Sequence, residues 1–203
     1  MNPTPSAPPA FRRAVLWVAL LNFGYFWVEW TVAQSIGSVS LFADSIDFLE
    51  DAAVNGLILI GLGLSAVARA RLGMLLAGII LIPGLATLWT AVHKVLQPLP
   101  PDALDLSLTG LGALMVNFSC AWILLRYRRH HGSLVQAAFL SARNDVLANL
   151  AIILAAGVTL VWTSALPDLI VGLGIFLLNL DAARVVYRQA IQERRRARST
   201  DRP

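Results

Sequence analysis

Two carboxylates, Asp47 and Asp51, lie four residues apart in an apolar stretch long enough to cross a lipid bilayer. Asp44 and Glu50 bring the total to four acids within eight positions, just before the Gly-, Leu- and Ile-rich run 56–64. A charged side chain at the bilayer centre costs a few kcal/mol, so packing alone does not explain this cluster. Grouped carboxylates suit a hard cation, and the segment is therefore predicted to bind one inside the membrane.

The composition supports a membrane location. The chain is 57% hydrophobic and 14% charged, with a mean hydropathy of +0.68, which is typical of an integral membrane protein. Six apolar segments reach the roughly 20 residues that span a bilayer as a helix. They are 14–34, 40–65, 72–96, 104–127, 134–162 and 166–188. We expect an all-α polytopic transport domain over 12–191, between a disordered segment 1–11 and a basic tail 192–203.

Arginine placement predicts the orientation. All Lys and Arg residues except Lys94 and Arg143 lie before span 1, between spans 2 and 3, between spans 4 and 5, or near the end of the chain. With six spans these regions share one side, which the positive-inside rule makes cytoplasmic, so both termini are predicted to be cytoplasmic. The pI near 10 then reflects topology and anionic lipid, with no need for a nucleic-acid partner. The pattern fits a bacterial inner membrane.

A short internal repeat relates the two halves of the chain. The repeated positions are Asn22 and Asn117, Asp51 and Asp145, and Asn55 and Asn149. Three spans per half would make the halves inverted, an arrangement typical of transporters with a site at the bilayer midplane. Asp51 and Asp145 each lie about 11 residues, or roughly 16 Å, from the start of their spans. Span 2 starts at the outer side of the membrane and span 5 at the inner side, which also predicts a midplane position for both residues.

Helical spacing then predicts which side chains meet. Residues four apart share a helix face, so Asp47 and Asp51 can converge on one ion, and Ser141 and Asp145 form a matching face in span 5. The predicted metal site therefore consists of Asp47, Asp51, Asp145 and Ser141, or a water held by Ser141. Asn55 is expected to hydrogen-bond near the ligands or between helices.

Other roles for these side chains remain open. Asp47 and Asp51 could belong to a polar network between helices, and Asp145 could pair with Arg143. Asp44 and Glu50 are expected on other faces, as polar contacts or pathway residues. The remaining residues predicted to support the site or line the pathway are Asn149, Asn144, Asn22 and Glu29.

The run from Ser38 to Asp51 resembles the cation diffusion facilitator family, as do Asn22, Glu29, the Asn144–Ala151 segment and Asp168 at the start of the last span. The resemblance covers all six spans. It implies homodimeric antiport of a divalent metal against protons, usually zinc export, through a His/Asp-x-x-x-Asp pair in each of spans 2 and 5. Asp47 and Asp51 match the first pair, and Asp145 matches the second member of the other.

Two features depart from that family. Ser141 stands where relatives usually carry His or Asp, which leaves an oxygen-only site. Relatives usually have a cytoplasmic metal-binding domain after span 6, where this chain has only a short basic tail, so a dimer would be held by the spans. Zinc remains the first expectation, with Mn²⁺ or Fe²⁺ as alternatives because carboxylates favour harder ions.

Three functional classes follow from these patterns. In the first, burial and mutual repulsion let the empty carboxylates hold protons that an M²⁺ ion displaces, giving antiport with no cofactor beyond the transported ion. The second is a non-transporting homologue that acts as a scaffold or partner subunit. The third, a membrane enzyme acting on lipid headgroups, is disfavoured because the acids lie at mid-membrane depth and no phosphate-binding motif is adjacent.

Overall fold

A computed structural model of the chain shows an all-helical protein. It describes residues 9–61, 85–127 and 133–178 together with positions 68, 71 and 75, and gives only the backbone for 133–140. Six helices lie in these ranges: α1 Pro9–Ile36, α2 Val39–Gly61, α3 over 85–96, α4 Ala103–Leu125, α5 Ser133–Val161 and α6 Leu166–Leu178. The ranges of α3 and α6 are their described parts. The described residues form no strand, which confirms the all-α prediction. The predicted basic tail, 192–203, lies outside the described residues.

Among the described residues, three helices carry segments that are long and apolar enough to cross a bilayer: α1, α4 and residues Ser141–Val161 of α5. α2 has 23 residues, but its four acids set it apart from these. Large apolar side chains cover the outside of the bundle, including Trp17 at 62% exposure and Leu154 at 69%. An apolar exterior around a polar interior identifies an integral membrane protein.

The helices pack in a pattern that matches the internal repeat. α1 contacts α2 and α4 contacts α5, while α1 also contacts α4 and α2 contacts α5. Helices in equivalent positions of the two predicted halves therefore meet each other across the centre. Phe26, Phe48 and Ala113 are buried together between α1, α2 and α4.

α1 begins earlier than the sequence predicts. Residues 9–11, which were expected to be disordered, form its first turn. Proline is favourable at a first helical position because its missing N–H is not needed there. Phe11 is buried and meets the Tyr127 ring edge-on, with 5.4 Å between ring centroids. This apolar contact orders a segment whose composition alone suggested disorder.

A buried ion pair lies at the turn between α1 and α2. Gly37 takes the left-handed conformation at φ 62°, which ends α1. Lys94 of α3 donates to the Gly37 carbonyl at 2.6 Å and to Asp168 Oδ2 of α6 at 3.0 Å. Both charged side chains are almost completely buried. One lysine thus joins the end of α1 to α3 and α6.

Asp168 also caps α2. Its carboxylate accepts hydrogen bonds from the backbone N–H groups of Val39 and Ser40 at 2.9 and 3.1 Å. The hydroxyls of Ser38 and Ser40 donate to it at 2.7 and 2.6 Å. A carboxylate at a helix N-terminus satisfies free N–H groups and complements the helix dipole. The first turn of α2 is therefore held by a residue 130 positions away from Ser38 along the chain.

Candidate cation site

Two hydrogen bonds set the register between α2 and α5. Ser141 Oγ donates to Asp51 Oδ1 at 3.1 Å, and Asn149 Nδ2 donates to Asp44 Oδ2 at 2.5 Å. Residue numbers rise along one helix as they fall along the other, so the two helices run antiparallel. The bonds are about 11 Å apart along the helices at about 1.5 Å per residue.

A cavity of about 600 Å³ opens between α2, α5 and α6. Its polar lining consists of Asp47, Glu50, Asp51, Ser141, Asn144 and Asp145. All four side chains predicted as ligands therefore line one space, together with the predicted pathway residue Asn144. Apolar side chains of α6, including Val171 and Ile175, close another wall.

Glu50 points into the cavity, which the sequence does not predict. It was expected on a face of α2 away from Asp47 and Asp51, yet it lines the same cavity. Neighbouring residues on a helix point about 100° apart, but the cavity covers more than one face of α2, and the long Glu50 side chain reaches it. The cavity therefore carries four carboxylates.

These carboxylates line the cavity but do not converge on a single ion position. Among the described residues, no three Asp, Glu, His or Cys side chains are placed to hold a single metal ion. The four predicted ligands therefore share a cavity. In this conformation they do not form a complete coordination sphere.

No basic side chain neutralises the cavity in the part of the chain that the structure describes. Arg143, considered above as a partner of Asp145, is exposed. The ion pair found among these residues joins Lys94 to Asp168, away from the cavity. The proposed pairing of Arg143 with Asp145 is therefore wrong for this conformation.

Three of the four buried asparagines make contacts between helices, Asn55 bonds within its own helix, and none of the four is in the cavity lining. Asn117 Nδ2 donates to Asn149 Oδ1 at 3.1 Å, which joins α4 to α5 and, through Asn149, to Asp44. Asn55 Nδ2 donates to the backbone carbonyl of Asp51 at 2.8 Å. Asn22 Nδ2 bonds to the Val18 carbonyl and contacts Cys120 Sγ at 3.7 Å.

The two halves differ at these positions. Asn117 and Asn149 of the second half are bonded to each other. Their counterparts in the first half, Asn22 and Asn55, each have a buried Oδ1 without a hydrogen-bond partner. The repeat is therefore close in sequence pattern but takes two different local conformations.

Glu29 and Asp44 form a second acidic pair outside the cavity lining. Both side chains have no exposed surface, and they lie within electrostatic range of each other. The sequence placed both among the pathway residues without identifying them as partners. Helical spacing could not reveal the pair, because Glu29 is on α1 and Asp44 on α2.

Lys94 and Asp168 were not predicted as partners either. They are 74 residues apart, on helices whose contact no local pattern indicates. One signal was available: Lys94 is the only lysine of the chain, and both residues fall at the predicted outer ends of their spans. Opposite charges at the same predicted membrane depth are candidates for pairing.

The comparison with protein families gives one match. The family model of the cation efflux transmembrane domain matches residues 15–193 of the 203. The matched region contains every residue of the cavity and both members of the Lys94–Asp168 pair. No curated protein matches the chain.

Proposed function

This chain belongs to the cation diffusion facilitator family. We propose that it exports a divalent metal cation in exchange for protons, and that zinc is the preferred cargo. The observation that carries this proposal is the cavity lined by Asp47, Glu50, Asp51 and Asp145. Four carboxylates around one space attract a divalent cation strongly.

Asp47, Asp51 and Asp145 are the proposed carboxylate ligands of the transported ion. The Ser141 hydroxyl, or a water that it holds, completes the set, because its hydrogen bond to Asp51 places it beside a proposed ligand. Such a set contains oxygen atoms only, which also suits Mn²⁺ and Fe²⁺. Zinc remains first because it is the usual cargo implied by the resemblance.

Alternating access is the proposed route across the membrane. In transporters built from inverted repeats, one half rocks against the other around a central site. Asn117 and Asn149 bond to each other, whereas the Oδ1 atoms of Asn22 and Asn55 have no partner; this difference between equivalent positions supports the route. We further propose an inner-membrane homodimer held by the spans, with both termini cytoplasmic.

The decisive experiment is metal flux in proteoliposomes with an imposed pH gradient. Zn²⁺, Mn²⁺, Fe²⁺, Co²⁺ and Cd²⁺ are each tested with wild type, Asp51→Ala and a control, Asp105→Ala, which alters an exposed acid outside the cavity. We expect flux that follows the pH gradient, is lost in Asp51→Ala and persists in the control.

Two other outcomes would change the proposal. Flux indifferent to the pH gradient would exclude antiport while leaving metal transport in place. No flux with any of the five ions, from protein that remains monodisperse and folded, would favour a non-transporting homologue.

A further inference from the structure

The Glu29 carboxyl is buried in a setting that does not satisfy it. Its side chain has no exposed surface, and neither of its oxygens has a hydrogen-bond partner. Asp44, beside it, is equally buried, and its Oδ1 also lacks a partner. Three carboxyl oxygens are thus withdrawn from water without a donor, which is costly for any polar group and most costly for an anion.

Among the residues that the structure describes, the charged neighbours of this pair are acidic. The titratable groups that face it are Tyr25 on α1, Asp47 on α2 and Asp145 on α5. The Tyr25 hydroxyl donates its hydrogen bond to the Thr109 carbonyl of α4, at 2.7 Å. These described neighbours therefore add repulsion to the pair and do not compensate its charge.

Two adjacent carboxylates buried in this way do not both stay ionised. Such pairs hold one proton between them, because the shared proton removes one charge and supplies one hydrogen bond. A proton also needs no additional space, which suits side chains with no exposed surface. A fully hydrated or coordinated metal ion would require the surrounding helices to separate.

Asn149 determines which oxygen of Asp44 is available. Its amide donates to Asp44 Oδ2 and is itself held by Asn117. The amide therefore fixes the Asp44 carboxyl and leaves Oδ1 as the oxygen without a partner. Asn149 lies one helical turn from Asp145, so this arrangement is adjacent to the cavity.

We propose that Glu29 and Asp44 share one proton when the cavity holds no cation and release it when a divalent cation enters. This inference rests on the proposed antiport. The O–H bond of the shared proton breaks, the proton leaves to water, and the pair gains one negative charge beside the incoming positive ion. The reverse step restores the proton as the cation departs. Release of this proton would account for one of the protons exchanged per cation.

Proton release on metal binding tests the proposal directly. Purified protein in weakly buffered detergent solution is titrated with Zn²⁺ while a pH dye reports protons and calorimetry reports bound zinc. The variants are Glu29→Gln, Asp44→Asn and their combination, which keep the size of each side chain and remove its titration. Asp105→Asn, at an exposed acid, is the matched control.

We expect the double variant to release about one proton fewer per bound zinc than wild type, while the number of bound zinc ions is unchanged. The control should release as many protons as wild type. Unchanged proton release in the double variant overturns the proposal. Loss of one bound zinc per chain also overturns it, because the pair would then hold metal.

A second measurement keeps the proposal testable if the variants fail to fold. The infrared C=O stretch of a protonated carboxylic acid should be present in metal-free wild type at neutral pH and decrease when zinc is added. Its absence overturns the proposal. This readout does not depend on transport, so failure of the antiport assay and failure of the proton pair are distinguishable.

Discussion

Ser141 Oγ lies 3.1 Å from Asp51 Oδ1 and donates a hydrogen bond to it across the interface of α2 and α5. The hydroxyl therefore occupies the position from which a longer side chain at 141 would reach an ion held by Asp51. The serine adds no charge to this corner of the cavity, and the described lining residues include no histidine or cysteine.

Ser141→His is expected to tighten zinc binding about tenfold, or about 1.4 kcal/mol, because imidazole is a better zinc ligand than a hydroxyl. Isothermal calorimetry with Zn²⁺ and Mn²⁺ measures the change, and the gain should be larger for zinc. Ser141→Ala is the control, since it removes the hydroxyl without supplying a ligand. Equal affinities in Ser141→His and Ser141→Ala would show that position 141 does not face the ion.

Asp145→Asn is expected to lower zinc affinity by about a hundredfold or more, since even partners outside the coordination sphere commonly contribute 10- to 100-fold. The exposed Asp105→Asn makes the same chemical change away from the cavity and should bind zinc normally. Competition with a fluorescent chelator measures both. An Asp145→Asn protein that binds zinc as tightly as wild type would remove α5 from the proposed site.

Lys94→Met is expected to destabilise the protein by about 3–5 kcal/mol, because it leaves the buried Asp168 carboxylate without its cation. Reversible unfolding in mixed detergent micelles measures the loss. Arg71→Met removes a charge from an exposed position and should change stability by less than about 0.5 kcal/mol. Similar stabilities for the two variants would contradict the role assigned to the ion pair.

Gly172→Ala is expected to destabilise the protein by about 1–3 kcal/mol, as overpacking does. A Cβ at this position would lie 2.6 Å from the Ser40 nitrogen and from the Val39 carbonyl carbon, and backbone atoms cannot easily move aside. Gly174 is the matched control, because a Cβ there meets nothing within 4 Å. Thermal unfolding of both variants decides the matter; equal melting temperatures would mean that α6 does not pack this closely on α2.

Local spacing explains why part of the site was predictable. Asp47 and Asp51 share a face of one helix, and the repeat relates Asp51 to Asp145, so these positions were grouped without a structure. The all-α fold was predictable from hydropathy for a related reason: backbone groups in lipid must bond within their own segment. Both arguments use information contained in a few neighbouring residues.

Contacts between distant helices were not predictable in this way. The shared cavity position of Glu50 depends on the width of the space between α2, α5 and α6. The Glu29–Asp44 and Lys94–Asp168 pairs depend on which helices become neighbours, which a single sequence does not reveal. The helical first turn of α1 similarly depends on Tyr127, more than 100 residues away.

The carboxylate of Asp168 has a mechanical consequence for α2. It ties the first turn of this helix to α6 and, through Lys94, to α3 and the end of α1, so this end would be the fixed point of any tilt of α2. The 23 residues of α2 form a lever arm of about 33 Å at about 1.5 Å per residue. A tilt of about 10° would then move the far end by about 6 Å while the fastened end stays nearly still. Asp47 and Asp51 lie along this arm, so the same rotation would carry them by intermediate distances.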